Sequence, residues 1–275
     1  MNIFVTGGTG FIGRNIIPAL SNKYSVFAPN RKELNLLDYD SVKKYVSDNK
    51  IDIIVHTAIP NLLGDDKKED LFRLSMQMFI NIYSMRNIVD KIVYFGSGAE
   101  FDKTHPIIRV KEEDFGVNVP NDDYGLAKYT MNMLARQSNN VYNLRVFGCY
   151  GPTDADFKLI SGIISACVNN KEFRLRNNCV FDYMYVEDIV PILDYFINNT
   201  PRYHDYNMCT GIGIENLKVC QITKEIMNSE CDIILENTTL GNEYTADNTR
   251  LMEEMKDFSF TPIEDGIKKQ IRVVR

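Results

Sequence analysis

The first thirteen residues, Met1-Asn-Ile-Phe-Val-Thr-Gly-Gly-Thr-Gly-Phe-Ile-Gly13, join a short apolar run to glycines spaced as G-x-x-G-x-x-G. The run Ile3–Val5 predicts a buried strand, and the apolar positions within Phe11–Leu20 recur at helical spacing. Glycines between a strand and a helix let the backbone approach a pyrophosphate, whose charge is stabilised at the helix N-terminus. The stretch therefore predicts a dinucleotide-binding site, although glycine spacing alone would also suit a structural turn.

A second strand is predicted over Tyr24–Ala28, and Pro29, Asn30 and Arg31 follow it with no acidic residue among them. An acid at the end of this strand typically binds the ribose hydroxyls of NAD, whereas an arginine suits the 2′-phosphate of NADP. We therefore expect NADP (NADPH) to be favoured over NAD. The alternative is that Arg31 is a solvated surface residue.

Strand and helix patterns then alternate up to residue 150. The predicted strands are Asp52–Ala58, Lys91–Phe95 and Asn143–Phe147, and the predicted helices are Ser41–Asn49, Glu69–Asp90 and Tyr124–Ser138. Such alternation with short loops indicates an α/β fold of the Rossmann type, a doubly wound parallel sheet with helices on both faces.

Beyond residue 150 the pattern is looser. The predicted helices are Leu159–Asn169, Val186–Asn198 and Asn216–Asn228, and the predicted strands are Phe173–Leu175, Asp182–Tyr185, Asp205–Met208 and Asp232–Leu235. We expect a dinucleotide-binding Rossmann domain over residues 1–150, with 177–200 returning to it. A smaller C-terminal α/β substrate-binding lobe is expected over 151–275.

The composition excludes several classes of function. The 275 residues are 44% hydrophobic and 25% charged, which is ordinary for a globular chain, and the net charge is −6. With no basic run, neither nucleic acid nor a membrane surface is an expected partner. No long apolar stretch or signal-peptide pattern is present, so we expect a cytoplasmic protein. The six cysteines and three histidines have no metal-ligand spacing, and no metal is expected.

Tyr124 and Lys128 are the second informative pair. At a spacing of i, i+4 they share one face of a helix, and an ammonium near a phenol helps it to exchange a proton near neutral pH. Ser97 follows the fourth predicted strand, at the sheet edge where ligands bind in open α/β folds. Its hydroxyl could bind a carbonyl oxygen that accumulates negative charge. The simpler alternatives are a solvated helix face and a turn serine between two glycines.

The combined motifs resemble the extended short-chain dehydrogenase/reductase family, also known as the NAD-dependent epimerase/dehydratase family. They are Thr6–Gly13, Asn81, Ser97, Tyr124-x-x-x-Lys128, Val146–Pro152, Phe181–Asp188, Tyr206–Gly211 and Thr245–Asp247 with Arg250 and Phe258. The resemblance spans essentially the whole chain. It implies an NAD(P)-dependent oxidoreductase with a nucleotide-diphosphate sugar as substrate. It also implies a homodimer formed through the helices predicted over Glu69–Asp90 and Tyr124–Ser138.

The resemblance also implies residue roles. Tyr124 would be the catalytic acid/base, Ser97 would orient the carbonyl, and Lys128 would lower the pKa of Tyr124 and bind the nicotinamide ribose. Asn81 would be structural or hold a water molecule. The implied cofactor contacts are Gly7, Thr9, Gly10, Phe11, Ile12, Gly13, Asn30, Arg31, Leu37, Asp38, Ala58 and Lys128. The implied substrate contacts are Ser97, Ala99, Glu100, Tyr124, Lys158 and Arg174.

Within the family, Arg31–Asp38 is similar to the GDP-fucose synthase branch, whose members are NADPH-dependent nucleotide-sugar 4-ketoreductases. Ala99 and Lys158 stand where that branch has a cysteine and a histidine for epimerisation. Ser97-Gly-Ala99 also lacks the acids of the 4,6-dehydratase branch. The resemblance therefore implies reduction of the C4 keto group of a nucleotide-linked 4-keto-6-deoxy sugar, as in deoxysugar biosynthesis, without epimerisation.

Two alternatives remain open on the sequence. The first is a nucleotide-sugar 4-epimerase with bound NAD, and the second is a non-catalytic nucleotide-sensing protein of the same fold. Two charged residues are also ambiguous. Glu100 is either a substrate contact or a surface carboxylate, and Arg174 is either a contact for the nucleotide diphosphate or a solvated charge on an edge strand.

Overall fold

The computed structural model describes residues 1–60 and 70–274, which form two compact units. The first unit comprises Met1–Thr104, Glu112–Val146 and Ile189–Tyr206. The second comprises His105–Lys111, Phe147–Asp188 and Asn207–Arg275.

The first unit is built on a six-stranded parallel sheet. Its strands are β1 (Asn2–Thr6), β2 (Ser25–Phe27), β3 (Ile53–His56), β4 (Lys91–Ser97), β6 (Val141–Val146) and β10 (Asp205–Met208), in the spatial order β10-β6-β4-β3-β1-β2. The helices are α1 (Phe11–Ser21), α2 (Tyr39–Asp48), α3 (Leu71–Tyr83), α4 (Asp123–Ala135) and α6 (Ile189–Asn198). The predicted α/β Rossmann-type fold class is confirmed.

The central strands are apolar on both faces because helices cover both sides of the sheet. Ile3–Val5 and Ile53–Val55 are buried, as is the whole of β4. One core cluster unites Phe4, Ile54, Ile92 and Tyr94 with side chains from α2, α3 and α4. The carboxyl ends of β1, β3 and β4 therefore lie side by side at one edge, which is where the candidate site forms.

Some boundaries differ from the predicted ones. Glu69, where the third helix was predicted to begin, lies outside the described residues. That helix was also predicted to reach Asp90, but α3 ends at Tyr83 and a 3₁₀ turn follows over Ser84–Asn87. The helix ends early because the chain must turn into β4, where the N–H of Asp90 already donates to Asp52 O at 2.8 Å.

The second unit contains a five-stranded and a two-stranded sheet. Four strands of the larger sheet have the order β11 (Gly213–Glu215), β9 (Val180–Tyr185), β13 (Tyr244–Ala246), β5 (Ile107–Val110). Its fifth strand, β7 (Gly148–Tyr150), also pairs with β9. The smaller sheet pairs β12 (Ile233–Asn237) with β8 (Phe173–Asn177). The helices are α5 (Leu159–Asn169), α7 (Asn216–Met227), α8 (Thr249–Glu254) and α9 (Ile263–Val274).

The predicted domains and the observed units divide the chain at different positions. Residues 177–200 were predicted to return to the first domain. Within them, β9 instead belongs to the second unit, because it pairs with β11, β13 and β7. The strands β5, β7, β11 and β13 were not predicted, since three or four residues are too few to show alternation. No helix in the described part of the chain is long and apolar enough to cross a bilayer.

Candidate active site

The glycine turn between β1 and α1 packs tightly against the end of β3. Gly7 has a φ of +70°, and a Cβ there would lie 2.6 Å from Thr57 Oγ1 and 2.8 Å from Ala58 N. A Cβ at Gly13 would overlap Gly7 O and lie 2.7 Å from Gly8 Cα. Helix α1 begins after Gly10 with no side-chain cap on its N–H groups. The turn therefore provides close backbone approach and an uncapped helix N-terminus, the features that suit a dinucleotide pyrophosphate.

A cavity of about 560 Å³ opens beside this turn. Seven of the predicted cofactor residues line it: Gly7, Thr9, Gly10, Asn30, Arg31, Leu37 and Ala58. The other five, Phe11, Ile12, Gly13, Asp38 and Lys128, are not among the described lining residues. Asp38 instead caps α2, where its carboxylate accepts from the N–H groups of Asp40 and Ser41 at 3.1 and 3.3 Å.

The cavity wall is cationic. Arg31 and Arg14 both line it, and no aspartate or glutamate is among its described lining residues. Arg14 was missed from the sequence, although its position one turn after Gly10 on α1 was a usable signal. Asn81 donates to Leu36 O at 2.8 Å and so holds a loop that lines the cavity, which is the structural role that the family resemblance implied.

Ser97, Tyr124 and Lys128 come together at the carboxyl end of β4. Ser97 is the last residue of the strand, and its hydroxyl oxygen accepts from Ala99 N at 3.2 Å. The same hydroxyl is near enough to the phenol of Tyr124 on α4 to influence the pKa of that phenol. Lys128 Nζ lies 5.9 Å from the Tyr124 ring centroid and donates to Phe95 O at 2.7 Å. A hydroxyl, a phenol and an ammonium therefore converge at the sheet edge.

The pKa values of this group depend mainly on burial. Burial raises the pKa of the Tyr124 phenol, and the nearby Ser97 hydroxyl partly offsets that increase. Burial lowers the pKa of Lys128 to about 8, against the attraction of Glu100. The lowering of the Tyr124 pKa by Lys128 stays a prediction, since burial is the main cause of the shift and the ammonium donates to a backbone carbonyl of β4. Near neutral pH the phenol is protonated.

His56, at the end of β3, is one of the three histidines for which the sequence predicted no metal-ligand role. Its buried ring places Nδ1 2.8 Å from Thr6 Oγ1. Burial, together with the charge of Lys128, lowers the pKa of His56 to about 3, so the ring is neutral. Within residues 1–60 and 70–274, no group of three or more His, Cys, Asp or Glu side chains could hold a metal ion.

Glu100 requires a correction. It is neither a substrate contact nor a surface carboxylate, because its side chain is completely buried and pairs with Arg145 Nε at 2.8 Å. Its carboxylate also accepts from the N–H of Ser97 at 3.1 Å and from the amide of Asn143 at 3.1 and 3.2 Å. Ala99 is likewise buried, 1% exposed.

The two remaining predicted substrate residues lie in the second unit. Lys158 precedes α5 as its N-cap residue. Arg174 is on β8, 60% exposed, and its guanidinium pairs with Glu172 at 2.6 Å and Glu236 at 3.7 Å. A contact of either residue with substrate stays a prediction.

Residues 3–209 match the model of the NAD dependent epimerase/dehydratase family. The chain belongs to this family. The predicted family resemblance is thereby confirmed.

Relatives in the family are distant in sequence. The chain is 23% identical to an ADP-L-glycero-D-manno-heptose-6-epimerase of Brachyspira hyodysenteriae, over 99% of this chain and 97% of the relative. It is 27% identical to a GDP-6-deoxy-D-talose 4-dehydrogenase of Aggregatibacter actinomycetemcomitans, over 85% and 82%. A GDP-L-fucose synthetase structure from Naegleria fowleri bound to NADP has a TM-score of 0.86 at 19% identity, covering 98% and 91% of the two chains.

Proposed function

We propose that this protein is an NADPH-dependent nucleotide-sugar 4-ketoreductase that reduces the C4 keto group of a nucleotide-linked 4-keto-6-deoxy sugar. The observation that carries the proposal is the convergence of Ser97, Tyr124 and Lys128 at the carboxyl end of β4, with Lys128 one helical turn beyond Tyr124 on α4. These groups are a proton donor, a donor to a carbonyl oxygen and a cation, which is the set that carbonyl reduction requires.

The residues around the glycine turn fit a dinucleotide. Gly7, Gly10 and Gly13 would allow the pyrophosphate to approach the uncapped N-terminus of α1, where a side chain at Gly7 or Gly13 would collide with backbone. Arg31, in a cavity wall with no described acid, favours NADP over NAD. When bound, NADPH supplies the hydride.

The protein's own residues handle the proton and the developing charge. Ser97 donates to the C4 carbonyl oxygen, and Tyr124 transfers its phenolic proton to that oxygen as it becomes an alkoxide. The raised pKa of Tyr124 keeps the phenol protonated near neutral pH, as a proton donor for reduction must be. Lys128 holds positive charge beside the phenolate that remains and binds the nicotinamide ribose.

Two observations support reduction without epimerisation. Epimerisation at carbon requires one group to remove a proton and another to deliver it on the opposite face. Ala99 has no ionisable group at the first of the two family positions. The name of the Aggregatibacter relative, GDP-6-deoxy-D-talose 4-dehydrogenase, gives C4 as the carbon on which that enzyme acts.

The test is a panel of GDP-, dTDP-, CDP- and UDP-linked 4-keto-6-deoxyhexoses, with loss of the nicotinamide absorbance as the measure of reduction. We expect at least one to be reduced with NADPH. Failure of every member of the panel would contradict the proposal.

Tyr124→Phe should lower kcat by about 10²–10⁴-fold, because the proton donor is removed while the ring is kept. The Kd for NADPH should change little. Tyr129→Phe is the matched control, since Tyr129 is also on α4 and its ring stacks on Phe115 at 4.5 Å. Near-normal turnover in Tyr124→Phe would exclude this mechanism.

A nucleotide-sugar 4-epimerase with bound NAD is the second candidate. It would use the same Ser97, Tyr124 and Lys128, and the Brachyspira relative is an epimerase by name. NAD that copurifies with the protein, and turnover with no net change in nicotinamide absorbance, would favour this candidate over reduction.

A further inference from the structure

Helix α4 carries four polar side chains at a strict spacing of four residues: Tyr124, Lys128, Asn132 and Arg136, the last at its C-cap. This spacing places them along one face of the helix. The first two form the candidate site. The last two both reach the carboxylate of Asp205, from Asn132 Nδ2 at 3.3 Å and from Arg136 at 2.7 Å.

Asp205 connects this face of the helix to a second, fully buried ion pair. Its Oδ2 atom also accepts from Arg145 at 2.9 Å, and Arg145 Nε donates to Glu100 at 2.8 Å. Arg145 and Glu100 have no exposed side-chain surface. We call Glu100, Arg145, Asp205 and Arg136 the ion network. It contains two carboxylates and two guanidiniums, so its formal charges cancel.

The ion network ends at Ser97. Glu100 Oε1 accepts from the N–H of Ser97 at 3.1 Å, while the Ser97 hydroxyl accepts from the N–H of Ala99 at 3.2 Å. These two bonds form a capping box for the 3₁₀ turn Gly98–Phe101. The backbone and the side chain of Ser97 are therefore both held by the turn that contains Glu100.

Two glycines make room for this arrangement. A Cβ at Gly96 would overlap Asn143 Oδ1 and Glu100 Oε1, so the strand that carries Ser97 has space for the Glu100 carboxylate only with glycine at this position. A Cβ at Gly125 would lie 2.8 Å from Ala99 O, so glycine lets α4 approach the turn closely. Gly96 and Gly125 directly adjoin Ser97 and Tyr124 in the sequence.

The two carboxylates of the ion network differ in pKa, because burial outweighs Arg145 at Glu100 and raises its pKa. Burial raises the pKa of Asp205, but Arg145 and Arg136 outweigh that effect and hold it below its ordinary value. Buried ion pairs contribute little stability beyond what well-packed apolar side chains would give, yet losing one partner is strongly destabilising. Fixed geometry is therefore a better explanation of this network than extra stability.

We propose that the ion network is a positioning device, in which Glu100 is the positioning residue that holds the Ser97 hydroxyl beside the phenol of Tyr124. The assignment of Ser97 and Tyr124 to catalysis rests on the proposed function. The series of hydrogen bonds and ion pairs runs from Asn132 and Arg136 on α4 through Asp205 and Arg145 to Glu100. Glu100 then accepts from the N–H of Ser97. This series fixes two hydroxyls that come from distant parts of the chain.

The test uses full-length protein labelled with ¹³Cζ-tyrosine, with the Tyr124 signal identified from Tyr124→Phe. Ser97→Ala, which removes the neighbouring hydroxyl, supplies the reference position. We expect Glu100→Gln to move the Tyr124 signal towards that reference. Asp205→Asn is the second variant. The contacts of Asp205 given above are with Asn132, Arg136 and Arg145, and not with Ser97 or Tyr124. This variant keeps the test usable if Glu100→Gln does not fold.

Lys91→Met is the matched control. Lys91 begins β4, the strand that ends at Ser97, and its buried ammonium donates to the carbonyl oxygens of Phe196 and Asn199. The variant should lower the Tm but leave the Tyr124 signal unchanged. An unchanged Tyr124 signal in the folded Glu100→Gln or Asp205→Asn protein would overturn the proposal, as would an equal shift in Lys91→Met.

Turnover provides a separate measurement. Misplacing a reacting group by about 1 Å can cost about 100-fold in rate, so kcat of Glu100→Gln should fall about 10- to 100-fold. The KM for NADPH should stay within about twofold, because the cavity beside the glycine turn is not altered. Absence of turnover in the wild-type protein would refute the proposed function alone, since the Tyr124 signal is measured without substrate.

Discussion

His56 should make the protein less stable as the pH falls below neutral. In the folded state burial and the charge of Lys128 lower the pKa of His56 from 6.5 to about 3. In the unfolded chain His56 binds a proton with a pKa of about 6.5, whereas in the folded chain it stays neutral until the pH approaches 3. Stability from the neutral ring is therefore fully present above pH 6.5 and is lost progressively as the pH falls towards 3.

The size of the effect follows from the two pKa values. Each pH unit below 6.5 costs about 1.4 kcal/mol, so the loss at about pH 5 is about 2 kcal/mol. The groups that face the ring support a neutral state. Thr6 contributes a hydroxyl at 2.8 Å, Phe79 an apolar ring with its centroid at 6.2 Å, and Lys128 a positive charge.

The assay is urea unfolding followed by circular dichroism near pH 7.5 and pH 5, for the wild type and His56→Gln. Buried carboxyls such as Asp182 and Asp188, whose pKa values burial raises, act in the opposite direction. The difference between the two proteins cancels those groups. The wild type should lose about 2 kcal/mol more than the variant between the two pH values. Equal losses would show that the folded state protonates His56 normally, and would refute the reasoning.

Two further predictions concern the cofactor and the assembly. Arg31→Ala should weaken NADPH binding by about 10- to 100-fold, through loss of a charge-assisted contact to the 2′-phosphate, and leave NADH binding nearly unchanged. Equal weakening for both cofactors in a fluorescence titration would contradict that role. The proposed homodimer through α3 and α4 should be disrupted by Ile80→Glu, because Ile80 is 46% exposed on α3 and Met133 is 45% exposed on α4. Light scattering at matched concentrations should then show a monomer, whereas an unchanged dimer would place the interface elsewhere.

Several site features could be predicted because their signals are local. The glycine turn needs residues only a few positions apart, and Tyr124 and Lys128 share a helix face by their spacing alone. The apolar runs of β1, β3 and β4 predicted a buried sheet for the same reason. Ser97 could be assigned to the same edge because parallel strands end together.

Glu100 shows why other features could not be predicted. As a charged residue beside a turn, it was interpreted as a substrate contact or a surface carboxylate. Its partner Arg145 comes from β6, and Asp205, which pairs with the same Arg145, comes from β10; nothing in their local sequence links them to Glu100. His56 is similar, because only the packing of β3 against α3 and α4 buries its ring and lowers its pKa.

The sequence by itself therefore determined the family, the Rossmann-type sheet, the glycine turn and the identity of the Ser97, Tyr124 and Lys128 group. The family was recognised from the resemblance of the combined motifs. The sheet, the turn and the group follow from spacing along the chain, which hydrophobic periodicity and helix geometry convert directly into structure. Only the tertiary structure decided that Glu100 is buried beneath Ser97, that an ion network connects this serine to α4, and that burial raises the pKa of Tyr124. Those features depend on desolvation and on charges brought together from distant parts of the chain, and both arise only when the elements pack.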